Sequence, residues 1–144
     1  MKISELPFNK LIELYDTSSE EYLLFLEDSP HYTNHIGTVH AAALFSLAEA
    51  TCAQFLLSNF TGYSAGLIPI LRKVEVKYKK PAVGKIGSTA SLIGDTIETI
   101  NEQLESRKRA LLKLKIDLYD PNKVNVMSGE FEWFVSELEL TKTR

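Results

Sequence analysis

Residues 34–51 read NHIGTVHAAALFSLAEAT and bring together side chains that could do chemistry. Asn34, His35 and His40 surround Gly37 in a polar stretch, and Glu49 follows nine residues after His40. Between 41 and 58, 13 of 18 residues are Ala, Leu, Phe or Cys, and Glu49 is the only Asp, Glu, Lys, Arg or His. The remaining polar residues gather into no clear solvent face, so the segment predicts a helix buried nearly all round. An unpartnered buried carboxylate costs several kcal/mol in order of magnitude. The same burial raises its pKa and makes it a stronger base than a solvated carboxylate. Free N–H groups at the start of such a helix, at Ala41 and Ala42, can donate to charge developing on a carbonyl oxygen. The chemistry this pattern suits is attack of an activated water on a carbonyl.

The chain as a whole narrows the setting. Its 144 residues are 44% hydrophobic and 24% charged, with a net charge of −3, enough for one ordinary core. With no basic block, it offers little to nucleic acid or to an anionic membrane. Cys52 is the single cysteine, which excludes an intrachain disulfide and suits a reducing compartment. The opening MKISELPFNKLIELYD is interrupted by Glu5, Pro7, Glu13 and Asp16, unlike a signal peptide. The apolar run 41–58 carries Glu49 and Gln54 near its middle and makes a poor membrane span. A cytoplasmic protein is expected.

Elements must position these groups. Residues 5–15 predict a first helix, with Ser4 as N-cap and Pro7 tolerated in its first turn. Residues 22–26 fit an extended segment or a continuing helix. PHYTNHIG is a loop, and Thr38 is placed to cap the apolar helix expected over 39–58. NFTGYSAG reads as a second loop. RKVEVKYKK then alternates, with Val74, Val76 and Tyr78 on one face and Lys73, Glu75, Lys77 and Lys79 on the other. Arg72 shares parity with the apolar face, which points to a bulge, a strand end or a buried charge partner. After a turn at Pro81 and Gly84, KIGSTASLIGDTI is β-rich. TINE, from Thr99, matches a capping box opening a short helix to about Arg107. ALLKLKIDLYD alternates again, DPNK predicts a turn with Pro121 second, and VNVMSGEFEWFVS supplies a last strand with Gly129 as a bulge. The order predicts an α+β fold in one domain over 1–144. An N-terminal helical extension spans 1–19, and antiparallel strands within 67–136 curve around the central helix 39–58.

These residues resemble the hotdog-fold thioesterases. N-H-x-G-x-x-H-A, with an acid nine residues after the second His inside a buried helix, is similar to the PaaI-type branch and to an uncharacterised subgroup of it. YKKPAVGKI looks like that branch's Tyr-x-x-Pro-Ala-x-x-Gly strand–turn–strand signature, and the short helix before ALLKLKIDLYD also looks like the subgroup. The resemblance covers residues from about 22 to 135. It implies a hotdog fold and an acyl-CoA thioesterase. Asn34 matches an Asn that orients the attacking water or the thioester. His40 matches the His that begins the usual His-Gly-Gly, and Ala41 the first Gly, whose backbone N–H is an oxyanion donor. Glu49 matches the catalytic acid, more often Asp in this branch, acting as general base or nucleophile. His35, Gly37, Ala42 and Tyr78 are expected around the substrate. The resemblance implies no metal and no cofactor beyond the coenzyme A of the substrate. Its partners are acyl-CoA or an acyl carrier protein thioester, and its assembly is a homodimer or a dimer of dimers. Two departures stand out. His-Ala-Ala replaces His-Gly-Gly, narrowing the space for a pantetheine arm, and a Ser or Thr expected on the next strand falls near Leu71.

One length bears on assembly. Ala41 and Glu49 are eight residues apart, roughly 12 Å at ~1.5 Å per residue, too far to touch one carbonyl. They converge only across antiparallel helices of two subunits. Plainer roles stand beside these. Glu49 could be bonded to Thr51, Tyr78 or Arg72, Asn34 could only shape a turn, and His35 and His40 could be loop histidines. His31, His35 and His40 show no metal-ligand spacing, and Cys52 suits the core. Lys77, Lys79, Lys80 and Lys85 read as a solvated face or as an attraction for phosphates. Two other functions compete: a non-catalytic acyl-thioester binder, and a hotdog dehydratase using His35 and Glu49. The proline-rich loop that such dehydratases carry is replaced here by IGTV. The acyl group is left open, since Phe45, Phe55, Phe60 and Tyr63 suit a medium-chain or an aryl pocket equally.

Overall fold

A computed structural model describes residues 1–60 and 66–137 of the chain. Alternating sequence sets the strands. In β5 (Arg109–Tyr119) Ala110, Leu112, Leu114, Ile116 and Leu118 are buried while Lys113 and Lys115 face solvent. β6 (Asn125–Glu137) buries Phe131, Trp133 and Val135. The turn between them starts at Asp120 and has Pro121 second, as expected, with the Lys123 N–H donating to the Asp120 carbonyl at 2.9 Å.

With β1 (Leu14–Asp16), β2 (Leu24–Leu26), β3 (Leu67–Tyr78) and β4 (Ile86–Ile93), these strands form one antiparallel sheet in the order β1-β2-β4-β5-β6-β3. The sheet curls around α2 (Ala41–Asn59), which touches β2, β4, β5 and β6. This is the α+β arrangement the sequence predicts. α3 (Ile97–Arg107) bridges β4 to β5 and buries Ile100 and Leu104.

The helix is not buried all round. Ala43, Leu44, Leu47, Ala48, Ala50, Thr51, Cys52 and Leu56 pack inward, but Ala41 and Ala42 are exposed and Phe45, Ser46, Glu49 and Ala53 are only half-buried. Alanine is short enough to serve a covered or an open face, which is why composition alone hid this side. Inside, Thr51 Oγ1 sits 2.6 Å from Ser88 Oγ and 2.7 Å from the Leu47 carbonyl, a fully buried polar link between α2 and β4. Cys52 is in the core, and burial pushes its thiol pKa up.

Several boundaries differ from expectation. No single helix spans 5–15. A 3-10 turn (Ile3–Glu5) is followed by α1 (Pro7–Leu11), because Pro7 holds Leu6 in an extended conformation (φ −61°, ψ 140°) and begins a new helix itself. Glu13, at φ 57°, then turns the chain into β1. Ser4 caps nothing, and its hydroxyl donates to Asp16 Oδ2 at 2.9 Å. Residues 24–26 are strand, completing a hairpin with β1. The α3 capping box lies three residues earlier than expected, with Thr96 as N-cap and Thr99 as N3. The β3–β6 register shifts between Leu71 and Lys73, so Arg72 is a bulge. Gly129 is not one, since it pairs in register with Val76 and Ile116. A Cβ there would stand 2.8 Å from both Phe131 and Val76, so close packing selects glycine. The loop expected around 59–66, with Tyr63, lies mostly outside the described residues.

Candidate active site

The loop before α2 is a tightly bonded device. Asn34 Oδ1 accepts the N–H groups of Ile36 and Thr38, both at 3.0 Å, and Asn34 Nδ2 donates to Thr38 Oγ1 at 2.7 Å. Gly37 closes the turn at φ +80°, a conformation that favours glycine, and its N–H donates to the Asn34 carbonyl at 3.1 Å. Asn34 therefore builds the turn, and Thr38 is occupied there instead of capping the helix. Backbone bonds from Val39 to the Ala82 carbonyl and from His40 to the Tyr32 carbonyl, both 2.8 Å, fix the loop to its surroundings.

The N-cap is His40. Its Nδ1 accepts the Ala42 N–H at 3.0 Å, while its carbonyl accepts the N–H groups of Ala43 and Leu44 at 3.0 and 3.1 Å. Of the first four amides of α2, only that of Ala41 has no acceptor among the described residues. Ala42, expected beside the substrate, has its donor already engaged. On the other side of Ala41, Tyr78 Oη donates to the Ala41 carbonyl at 3.1 Å, joining the end of β3 to the start of the helix. Partial burial raises the Tyr78 phenol pKa, which keeps it a donor.

These groups line a cleft of about 270 Å³ that includes Asn34, Thr38, Ala41, Leu44 and Tyr78 and is edged by Lys79 and Lys80. His35 and Gly37 lie on its exposed rim loop and do not line it. Of the four lysines read as a possible anion face, Lys79 donates to Asn125 Oδ1 at 2.7 Å, and Lys85 stands 4.3 Å from the Phe25 ring centroid. Lys80 is the one that edges the cleft without either engagement. The sequence reading missed Pro81 and Ala82 as lining residues, which nothing in their types announces.

Glu49 is not in this cleft. It is half-buried on the open side of α2, and burial alone raises its carboxyl pKa. Among the described residues it has no hydrogen-bond or ion-pair partner. The partners that would have made it merely structural are engaged or turned away: Thr51 with Ser88, Tyr78 with Ala41, and Arg72 exposed on the bulge. Leu71, at the position where a hydroxyl was expected, is half-buried and pairs with Trp133. No cluster of metal-ligating side chains occurs among the described residues.

Known structures share this architecture. A Pseudomonas aeruginosa protein described as of unknown function and a probable thioesterase matches with a TM-score of 0.78 at 25% identity, over 94% of this chain and 91% of that one. A Staphylococcus aureus thioesterase, solved as a mutant, matches at 0.69 and 13% identity, over 91% and 99%. A hypothetical thioesterase from Streptococcus pneumoniae, solved with coenzyme A, matches at 0.60 and 16% identity, over 79% and 77%. No curated protein matches at the sequence level. A family model described as a domain of unknown function (DUF4442) matches residues 12–135. The chain has the hotdog fold and belongs to the DUF4442 family.

Proposed function

We propose that this protein is an acyl-CoA thioesterase in which Glu49 activates water and the Ala41 N–H stabilises the oxyanion. What carries this reading is a pair of groups on one helix that are unspent among the described residues: a half-buried carboxylate with a raised pKa and no partner there, and a single unengaged N-terminal amide opening on a cleft. Water oxygen attacks the thioester carbonyl carbon as Glu49 takes its proton. Charge on the former carbonyl oxygen meets the Ala41 N–H and the positive end of α2. The C–S bond then breaks, and the sulfur leaves as the thiol after receiving the proton from Glu49. The reading needs no cofactor beyond the coenzyme A of the substrate. Asn34 and His40 act by holding the loop and the helix start, and Lys80 is placed to attract phosphate.

The two unspent groups are eight residues apart on α2, about 12 Å along the axis, so one chain does not bring them to one carbonyl. We therefore assign the site to two copies, Ala41 from one and Glu49 from the other. β3 stands at the sheet edge and the adjoining side of α2 is open, which leaves room for a second copy there. Release of free thiol from a panel of acyl-CoAs, comparing the parent with Glu49→Gln, tests the reading. Turnover abolished by the substitution supports it. A folded protein that binds coenzyme A thioesters without turning them over favours the second reading, a non-catalytic binder, for which the apolar Leu71 is the supporting observation.

A further inference from the structure

A second pocket, of about 200 Å³, opens one helical turn beyond Glu49. Ala53, four residues on and so on the same face of α2, is about 6 Å further along the axis and forms its near wall. Leu56 and Phe60 continue that wall, and Leu67 and Pro69 of β3 stand opposite. Among the described residues, no ionisable side chain lines it.

Met1, Ile3 and Leu6 of the N-terminal turn also line it, and of these Ile3 is the buried one. Ile3 is 2% exposed, and Asn9, itself buried at 5%, donates from Nδ2 to the Ile3 carbonyl at 2.8 Å, so the turn is fastened down. This turn lies before residue 12, where the family match begins. An apolar pocket that begins one helical turn along α2 from the carboxylate suits the hydrocarbon part of the molecule whose carbonyl Glu49 addresses.

We propose that this pocket holds a medium-length aliphatic acyl chain and that the Ile3 turn measures its length. The assignment rests on the thioesterase reading of Glu49. A dry cavity of about 150 Å³ accepts benzene, which scales to a chain of about eight carbons in the present pocket. Ala53→Phe would block the mouth, and Ile3→Ala would deepen the floor.

The test is kcat/KM for straight-chain acyl-CoAs from acetyl to palmitoyl, with calorimetry of octanoyl-CoA and acetyl-CoA on the Glu49→Gln protein as a readout independent of turnover. The expected profile peaks near octanoyl. Ala53→Phe lowers the octanoyl-to-acetyl ratio at least tenfold, and Ile3→Ala moves the peak to longer chains, a shift that misfolding would not produce. In calorimetry octanoyl-CoA binds at least tenfold tighter than acetyl-CoA, and Ala53→Phe on that background removes the difference. Turnover with a profile that neither substitution moves overturns the pocket and leaves the role of Glu49 standing. Absence of turnover with chain-dependent binding intact overturns the hydrolase and leaves the pocket. Binding that ignores chain length overturns the pocket in either case.

Discussion

His40 Nδ1 accepts the Ala42 N–H at 3.0 Å, and that contact helps decide which amide at the start of α2 stays unengaged among the described residues. A helix N-terminus ordinarily presents several unsatisfied donors. Here the side chain and carbonyl of one residue take three, and the donor that remains belongs to Ala41.

The first prediction follows from the cap. His40→Ala should cost about 1 kcal/mol, because the Ala42 donor loses its acceptor. For a chain of this size that lowers Tm by roughly 3–5 °C in a calorimetric scan. His40→Asn restores a capping oxygen and should recover most of the loss, with turnover within a few-fold of the parent. A large loss of turnover in a stable His40→Asn protein would give the imidazole a direct part in the reaction.

Glu49 ties stability to pH and, on the proposed mechanism, turnover as well. Burial raises its carboxyl pKa above the ordinary 4.5, so the folded protein holds this proton more tightly than the unfolded chain. The group therefore favours folding most below 4.5, and that advantage is lost as pH rises through the elevated value. Glu49→Gln should melt higher than the parent at pH 7.5, with the gap closing as the pH falls toward 4.5. Turnover should fall by about 10² or more in the same variant. A variant that melts lower at neutral pH would reveal a stabilising partner for the carboxylate.

Shared sites can be tested by mixing dead proteins. Ala41→Pro deletes the free donor at a position proline tolerates, since His40 already has the extended geometry (φ −61°, ψ 138°) that a residue before proline adopts. Neither Ala41→Pro nor Glu49→Gln should be active alone. After subunit exchange, established by native mass spectrometry, equal amounts should make about half the dimers mixed, each with one intact site. Activity should return to about a quarter of the parental level. If exchange is shown and the mixture stays inactive, the site does not draw on two chains.

Thr51→Val keeps the shape of the residue and removes the hydroxyl facing Ser88. It should cost about 1 kcal/mol in urea titration, because Ser88 Oγ loses the hydrogen bond it accepts and keeps the one it donates to the Leu24 carbonyl at 3.3 Å. Thr51→Ser, which keeps the hydroxyl, should lose less.

Glu49 stood out in the sequence as a lone charge in an apolar helix, and the structure gives it no partner among the described residues. The β5 face was legible because Leu112, Leu114, Ile116 and Leu118 alternate with polar residues without a break. Arg72 sits on the wrong parity of an otherwise regular strand, which left a bulge, a strand end or a buried charge partner open, and the register shift selects the bulge. The helix cap was misread because Thr38 and His40 both suit that task, and the choice falls to Asn34, which engages Thr38 first. Gly129 was misread because glycine marks a bulge and a tight contact alike, and only the neighbouring Phe131 and Val76 distinguish them. The pocket beyond Glu49 had no local signature, since its floor is carried by a turn 50 residues away in sequence from Ala53.

The pairing of β3 also sets a schedule for synthesis. Tyr78 must wait for Met127 and Leu67 for Glu137, while α2 and β3 have already left the ribosome. At about 5–20 residues per second, that interval lasts roughly 2–14 s. Throughout it a segment bearing Leu67, Ile68, Ile70 and Leu71 has no strand to join. Pro69 interrupts that apolar run and Arg72 and Lys73 end it, so the nascent chain carries its own guard against joining the wrong neighbour.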